Sequence, residues 1–477
     1  MKNLVSGMML VLLLTSMLML ALSFRPIINF EGCASGDYNP EMFGVVEPLM
    51  SRNIWEKNFS LQPAFDAISS LGVRRLREMT WMSLLLVNQT TVNPTNAQIL
   101  NFIISNMTSI NITIMGFAQD FPNWMTGIFD GDSQTVPYRN VTVGSDYMNF
   151  LERYKESWRT LARAFPNITM WEIGNEFNAD PFLHPQGYNR TTGYPNFTET
   201  EKAEITTDLL YYGSLGIHLG NPNAETVLGG LAPGSNLSEI ADFLEKIYDN
   251  IESGKWPSTN TDDYFQIASW HPYLWTGQPN MTNWVDPNNA IRNVMVRHGD
   301  ENKKVVFSEF GYNDHNNSRE DIARYLLDAF RLARDNFPWL ETIYWFRLVE
   351  PDQETVSQEN PEGFGLIDSN WTWKPVAYTY QSLIRTCAIK EFNESKALDF
   401  LLSLLTNYND DKWLCREHNK SATYWIYNDN ALAFQILSNI GNRTQNSTLL
   451  NAAEKIRKTI ENQDKYNFSI IEGKRPN

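Results

Sequence analysis

Apolar residues along this chain cluster into short runs of strand length, separated by longer stretches whose apolar positions recur at helical spacing. Eight such runs stand out: Phe43 to Pro48, Val73 to Arg77, Ile112 to Phe117, Thr169 to Gly174, Thr226 to Leu231, Phe265 to Trp270, Lys304 to Ser308 and Thr342 to Phe346. Amphipathic segments lie between them, including Tyr147 to Ala164, Thr200 to Leu215, Leu237 to Ile251 and Arg319 to Arg334. Strand-then-helix alternation of this kind predicts a parallel sheet with helices packed outside it.

Eight units ending near Arg385 match a closed barrel, on the order of 250 residues plus insertions. The expected fold class is therefore α/β, a (β/α)8 TIM barrel over residues 37–388. An open doubly wound sheet would be unusually large, and the sequence lacks the Gly-rich phosphate loop that such a sheet uses. From about Ile389 the pattern changes to helical stretches, Leu398 to Leu405, Asn430 to Leu437 and Leu449 to Ile460, so residues 389–477 are expected to form a small helical appendage. Within it, the aromatic segment Tyr424 to Asn430 suits either a sugar contact or the start of a helix beside a core cluster.

Composition narrows the partners. Aromatic residues make up 13% of the 477, including 15 Trp and 20 Tyr, a supply suited to stacking on sugar faces as well as to filling a core. A formal net charge of −16, without Lys/Arg clusters, argues against nucleic acid and tilts the expected ligand toward a neutral glycan. Residues 1–23 place one Lys ahead of a long apolar run that ends Ala21-Leu22-Ser23, the form of a cleavable export signal. The run approaches membrane-spanning length, so an N-terminal anchor tethering the protein to a membrane is the alternative. Asn-x-Ser/Thr sequons at Asn58, Asn88, Asn140, Asn189, Asn236, Asn280, Asn370 and Asn442 agree with a secreted or extracellular glycoprotein. Three cysteines cannot make a disulfide framework; Cys387 could pair with Cys415, leaving Cys33, or the thiols could be free. Oligomeric state is not legible.

In a barrel of this kind the active site forms at the C-terminal ends of the strands, so polar residues that close apolar runs carry the chemistry. The fourth run ends Trp171-Glu172-Ile173-Gly174-Asn175-Glu176, and the seventh ends Val306-Phe307-Ser308-Glu309. Breaking a glycosidic bond needs one carboxylic acid to protonate the leaving oxygen and one carboxylate to meet the oxocarbenium-like carbon. Two glutamates on facing strands can supply both.

The paired motifs resemble those of glycoside hydrolase clan A, which includes family 5 cellulases and mannanases and family 39 xylosidases. The resemblance extends over most of the chain up to about Arg385. It implies Glu176 as acid/base, Glu309 as nucleophile and Asn175 as hydrogen-bond partner of the sugar 2-hydroxyl. It also implies that Arg77, in Val73-Arg74-Arg75-Leu76-Arg77, supports an ionised nucleophile. His271 and Tyr273, in Ser269-Trp270-His271-Pro272-Tyr273, are similar to residues that flank the nucleophile, and Trp345 to the aromatic floor beneath the sugar, although strand register decides between Trp345 and Phe346. The stretch Gly363 to Asp368 followed by Lys374 to Tyr378 resembles the way clan members finish their last helix. One departure stands out: the third run ends Gly116-Phe117-Ala118-Gln119-Asp120, without the His that several families of the clan place there.

The implied reaction is double displacement on a β-glycosidic bond of a gluco-, xylo- or manno-type glycan, with no cofactor. Glu176 must then be protonated in the free enzyme while Glu309 stays ionised. A non-catalytic glycan-binding barrel and a metal-dependent barrel enzyme are the competing classes. The six histidines, among them His184, His218, His298 and His315, show no metal-ligand spacing.

Overall fold

A computed structural model describes residues 37–352, 363–388, 394–407, 413–415 and 427–461. Eight parallel strands close into a barrel: β1 (Phe43–Val46), β2 (Arg75–Met79), β3 (Thr113–Ala118), β4 (Met170–Ile173), β5 (Glu225–Leu228), β6 (Ile267–Ser269), β7 (Lys304–Phe310) and β8 (Leu340–Phe346). Each pairs with its sequence neighbours, and β8 closes on β1 through Phe43↔Ile343 to Val46↔Phe346. All eight expected runs became strands.

The principal helices alternate with them: α1 (Leu61–Leu71), α2 (Pro94–Ser109), α3 (Asp146–Ala164), α4 (Glu199–Gly220), α5 (Ser238–Glu252), α6 (Asp286–Arg297), α7 (Arg319–Asn336) and α8 (Pro375–Leu383). Several of their starts are written in the sequence. Ser145 and Ser318 cap α3 and α7 through their side chains, and Thr198 with Glu201 forms a reciprocal capping box on α4. A cap of this kind contributes roughly 1 kcal/mol.

Alternation along the strands divides the core in two. Val46, Met115, Met170, Val227, Ile267, Val306 and Tyr344 fill the barrel interior, whereas the opposite strand faces join a larger cluster with the helices. Buried carboxylates tie down the loops at the mouth. Glu78 accepts from the backbone N–H groups of Leu49 and Met50 (both 3.0 Å), and Asp120 from those of Met82 and Ser83 (2.7 and 2.8 Å). Burial pushes the pKa of both acids up, against these hydrogen bonds.

The chain divides at residues 389/390 into two units. The second holds helices Glu394–Leu404, Tyr427–Thr444 and Ser447–Glu461 around Leu404, Leu437, Leu449 and Ile456. The expected helices are present, and a short β pair that sequence did not predict joins them, Leu405–Asn407 running antiparallel to Trp413–Cys415. Runs of three residues are too short to show a period. Tyr424 to Ile426, Cys33 and the N-terminal leader lie outside the described residues, as do the side chains of Cys387 and Cys415. Among the described residues no helix is long and apolar enough to cross a membrane.

Candidate active site

A cavity of about 310 Å³ opens at the C-terminal ends of the strands, walled by Met79, Phe117, Gln119, Asn175, Glu176, Phe182, Tyr273, Trp275, Glu309, Phe346 and Phe364 among others. A larger cleft of about 770 Å³ lies at the opposite end of the barrel, beside Arg292 and Trp339; Glu301 is the one acid in its wall. Volume alone would favour the second. The chemistry favours the first.

Glu176 leaves β4 on a turn that only an unusual backbone permits. Gly174 has φ +89°, and a Cβ there would fall 2.1 Å from the Phe177 ring. Glu176 itself sits at φ +53°, which is strained for a residue with a side chain, and its N–H is fastened to the Gly230 carbonyl at 2.8 Å. Surrounding packing therefore holds this carboxylate where it is.

Arg77, fully buried, organises the floor. Its Nε donates to Glu172 Oε2 (2.5 Å), Nη1 to Glu309 Oε1 (2.5 Å) and Nη2 to Asn175 Oδ1 (2.7 Å), while the guanidinium lies 3.7 Å from the centre of the Phe117 ring. Because Arg77 can only donate, it fixes the Asn175 amide with its oxygen inward and its NH2 toward the cavity. That orientation suits donation to a sugar hydroxyl.

Glu309 also receives the Tyr273 hydroxyl on Oε2 (2.9 Å), and His271 Nδ1 stands 3.8 Å from the same oxygen. Burial would raise the pKa of Glu309, but the charges of His271 and Arg77 and the Tyr273 and Arg77 hydrogen bonds outweigh it, leaving the carboxyl below its ordinary value. Tyr273 is driven the other way, by burial and then by Glu309 and Glu176, so its phenol stays protonated and remains a donor. His271 Nδ1 meets Glu176 Oε1 at 2.7 Å. Burial lowers the pKa of that ring, yet Glu309 and Glu176 together raise it above the usual histidine value. One oxygen of Glu176 and one of Glu309 lie within 4.8 Å of each other.

Six of the seven residues marked by sequence thus converge: Glu176, Glu309, Arg77, Asn175, His271 and Tyr273. Trp345 does not join them. Its ring is buried against Phe310 and Tyr380 on the helix side of β8, and Phe346 faces the cavity instead. The β7–β8 register shifts twice, between Leu340 and Thr342 and between Ile343 and Trp345, so parity could not be counted from the sequence.

Several residues escaped sequence reasoning. Glu172 is the buried counter-charge of Arg77, although a charged residue inside an apolar run was a visible signal. Gln119, just past the end of β3, lines the cavity almost fully buried. Trp275 stacks on Tyr273 (5.2 Å, 7° between planes) with 52% of its surface exposed at the rim. The long loops that follow Asp120 and Asn178 bind each other through Val136 N–H to the His184 carbonyl (3.0 Å), and Phe182 of the second loop reaches the cavity.

Ligand atoms of Glu176, His271 and Glu309 are close enough to surround a metal ion. Arg77 is already bound to Glu309, and its fixed positive charge opposes a second cation at that carboxylate. Glu245, Asp249 and His298 form another such group on the outer surface, where Arg297 also pairs with Glu245.

No protein-family model matches the chain, and no curated protein matches it by sequence. Solved structures do. A family 39 glycoside hydrolase from Bacteroides cellulosilyticus WH2 is 17% identical with TM-score 0.51, over 74% of this chain and 64% of that one, just under two thirds of its length. The GH5_18 protein from Streptomyces cattleya, solved with GlcNAc, is 15% identical with TM-score 0.54 over 74% and 80%. A family 1 β-glucosidase from Thermotoga maritima is 12% identical with TM-score 0.50 over 72% and 97%. At these identities what the chain shares with them is the closed eight-stranded parallel barrel.

Proposed function

We propose that the protein is a retaining glycoside hydrolase acting on β-glycosidic bonds of a neutral gluco-, xylo- or manno-type glycan. One observation carries the reading: two carboxylates approach within 4.8 Å across a single mouth. Retaining enzymes hold their carboxyl pair about 5 Å apart, whereas inverting ones leave about 6.5 Å or more for a water.

Their surroundings divide the roles. Glu309, held ionised by His271, Arg77 and Tyr273, is the nucleophile that attacks the anomeric carbon. Glu176, hydrogen-bonded to a ring nitrogen that can take or return a proton, delivers its proton to the departing oxygen. Forming the ester removes the charge on Glu309. Glu176 then accepts a proton from water as that water attacks the anomeric carbon and releases Glu309. Asn175 meets a hydroxyl beside the reacting carbon, and the exposed face of Trp275 offers a sugar platform at the rim.

Export of the mature chain belongs to the same proposal. Seven of the eight sequon asparagines named above are exposed, Asn88 being half-buried, which suits glycans on a secreted protein.

Aryl glycosides of the candidate sugars, with product anomers followed by NMR, test the mechanism. Glu309→Ala is expected to lose turnover, while Glu176→Ala retains cleavage of dinitrophenyl glycosides, whose leaving group needs no proton. Inverted product, or two fully active variants, defeats the reading. A metal-dependent reaction, favoured by the Glu176–His271–Glu309 grouping, predicts instead that chelator abolishes activity and added metal restores it.

A further inference from the structure

Behind His271 runs a chain of hydroxyl groups that the double-displacement scheme does not use. His271 Nε2 lies 3.0 Å from Ser308 Oγ, Ser308 Oγ lies 2.6 Å from Ser269 Oγ, and Ser269 Oγ stands a longer 3.4 Å from Glu172 Oε1. All four residues are buried. Gly230 closes one side: its N–H donates to the same Glu172 oxygen at 2.9 Å, and a Cβ on it would collide with His271 Nε2 and Ser308 Oγ. With Arg77 bridging Glu172 to Glu309, the contacts form a continuous path from one proposed catalytic glutamate beneath the barrel mouth to the other.

The polarity of this path follows from its end. An ionised Glu172, clamped by Arg77, can only accept. Ser269 therefore donates to it, Ser308 donates to Ser269, and the free lone pair of Ser308 must be met by a hydrogen on His271 Nε2. Neutral histidine carries one ring hydrogen, so Nδ1, 2.7 Å from Glu176, is left as an acceptor. We propose that Ser269 and Ser308, oriented by Glu172, are positioning residues that keep the hydrogen of His271 on Nε2 and leave Nδ1 to exchange a proton with Glu176.

The inference rests on the proposed role of Glu176 as acid/base. One proton is then shared between two forms, neutral His271 beside protonated Glu176 and imidazolium beside carboxylate. The groups facing the ring are Glu176 and Glu309 on the mouth side, Tyr273 on its own loop, Arg77 across the floor, and the two serines with Glu172 behind. With the opposite tautomer, Nδ1 would carry the hydrogen and a neutral His271 could not take the proton of Glu176.

The full-length protein, labelled with 15N-histidine, tests this directly. It has six histidines, and His271→Gln identifies the signal. While the pair still shares its one proton, the expected result for the neutral ring is a protonated Nε2 and an unprotonated Nδ1 in the wild type. Ser308→Ala and Ser269→Ala are each expected to give a mixture of tautomers. In kinetics, both variants should lose about tenfold or more in kcat/KM on alkyl glycosides and several-fold less on dinitrophenyl glycosides, with the basic limb of the pH profile displaced. Ser269→Ala leaves the hydroxyl that touches the ring in place, so its effect separates polarity from packing.

A neutral wild-type ring with its hydrogen on Nδ1 overturns the proposal. So do serine variants with the wild-type tautomer, leaving-group dependence and pH profile. An Nε2–H ring that becomes mixed in the serine variants of a protein without glycosidase turnover upholds the hydroxyl chain and removes the glycosidase reading alone.

Discussion

Tyr273→Phe isolates one contribution to the state of Glu309. The substitution deletes a single hydroxyl that donates to Oε2 at 2.9 Å and leaves the ring stacked on Trp275. A hydrogen bond to a charged group contributes about 1.5–3 kcal/mol, and one pKa unit corresponds to about 1.4 kcal/mol. Since Arg77 still serves Oε1, the lower end applies, and the pKa of Glu309 should rise by about one unit. The sign follows from the required form: the nucleophile works ionised, so activity falls as pH drops through this pKa. Wild type should therefore keep its acidic limb below the ordinary glutamate range, and Tyr273→Phe should move that limb about one unit toward neutral. The assay is kcat/KM against pH on a dinitrophenyl glycoside, for which protonation of the leaving group by Glu176 is not needed. An acidic limb that stays in place would refute the argument that Tyr273 holds Glu309 ionised, as would one that moves to lower pH.

Two further outcomes follow from the packing. Arg77→Met leaves Glu172 buried without its counter-charge, so a urea melt should show a loss of about 3–5 kcal/mol; a loss under 1 kcal/mol would mean that Glu172 finds another partner. Trp275→Ala removes an exposed platform that makes none of the hydrogen bonds to the carboxylates, so KM on oligosaccharides should rise several-fold while kcat on short aryl glycosides is nearly unchanged.

The order of strands and helices, the closure of the barrel and the candidate carboxylates were determined by the sequence alone. Short apolar runs followed by period-3.6 segments have few packed solutions, and in this one polar residues at strand ends are gathered at one mouth. Glu176 and Glu309 were legible because each ends an apolar run. Only the tertiary structure decided what lies between them. Parity on β8 depended on register shifts against β7, which put Phe346 rather than Trp345 in the cavity. The triple engagement of Arg77 and the path through Ser269, Ser308 and His271 join residues as much as 232 positions apart. No local pattern encodes such contacts, because their geometry is set by the tilt and stagger of a closed sheet.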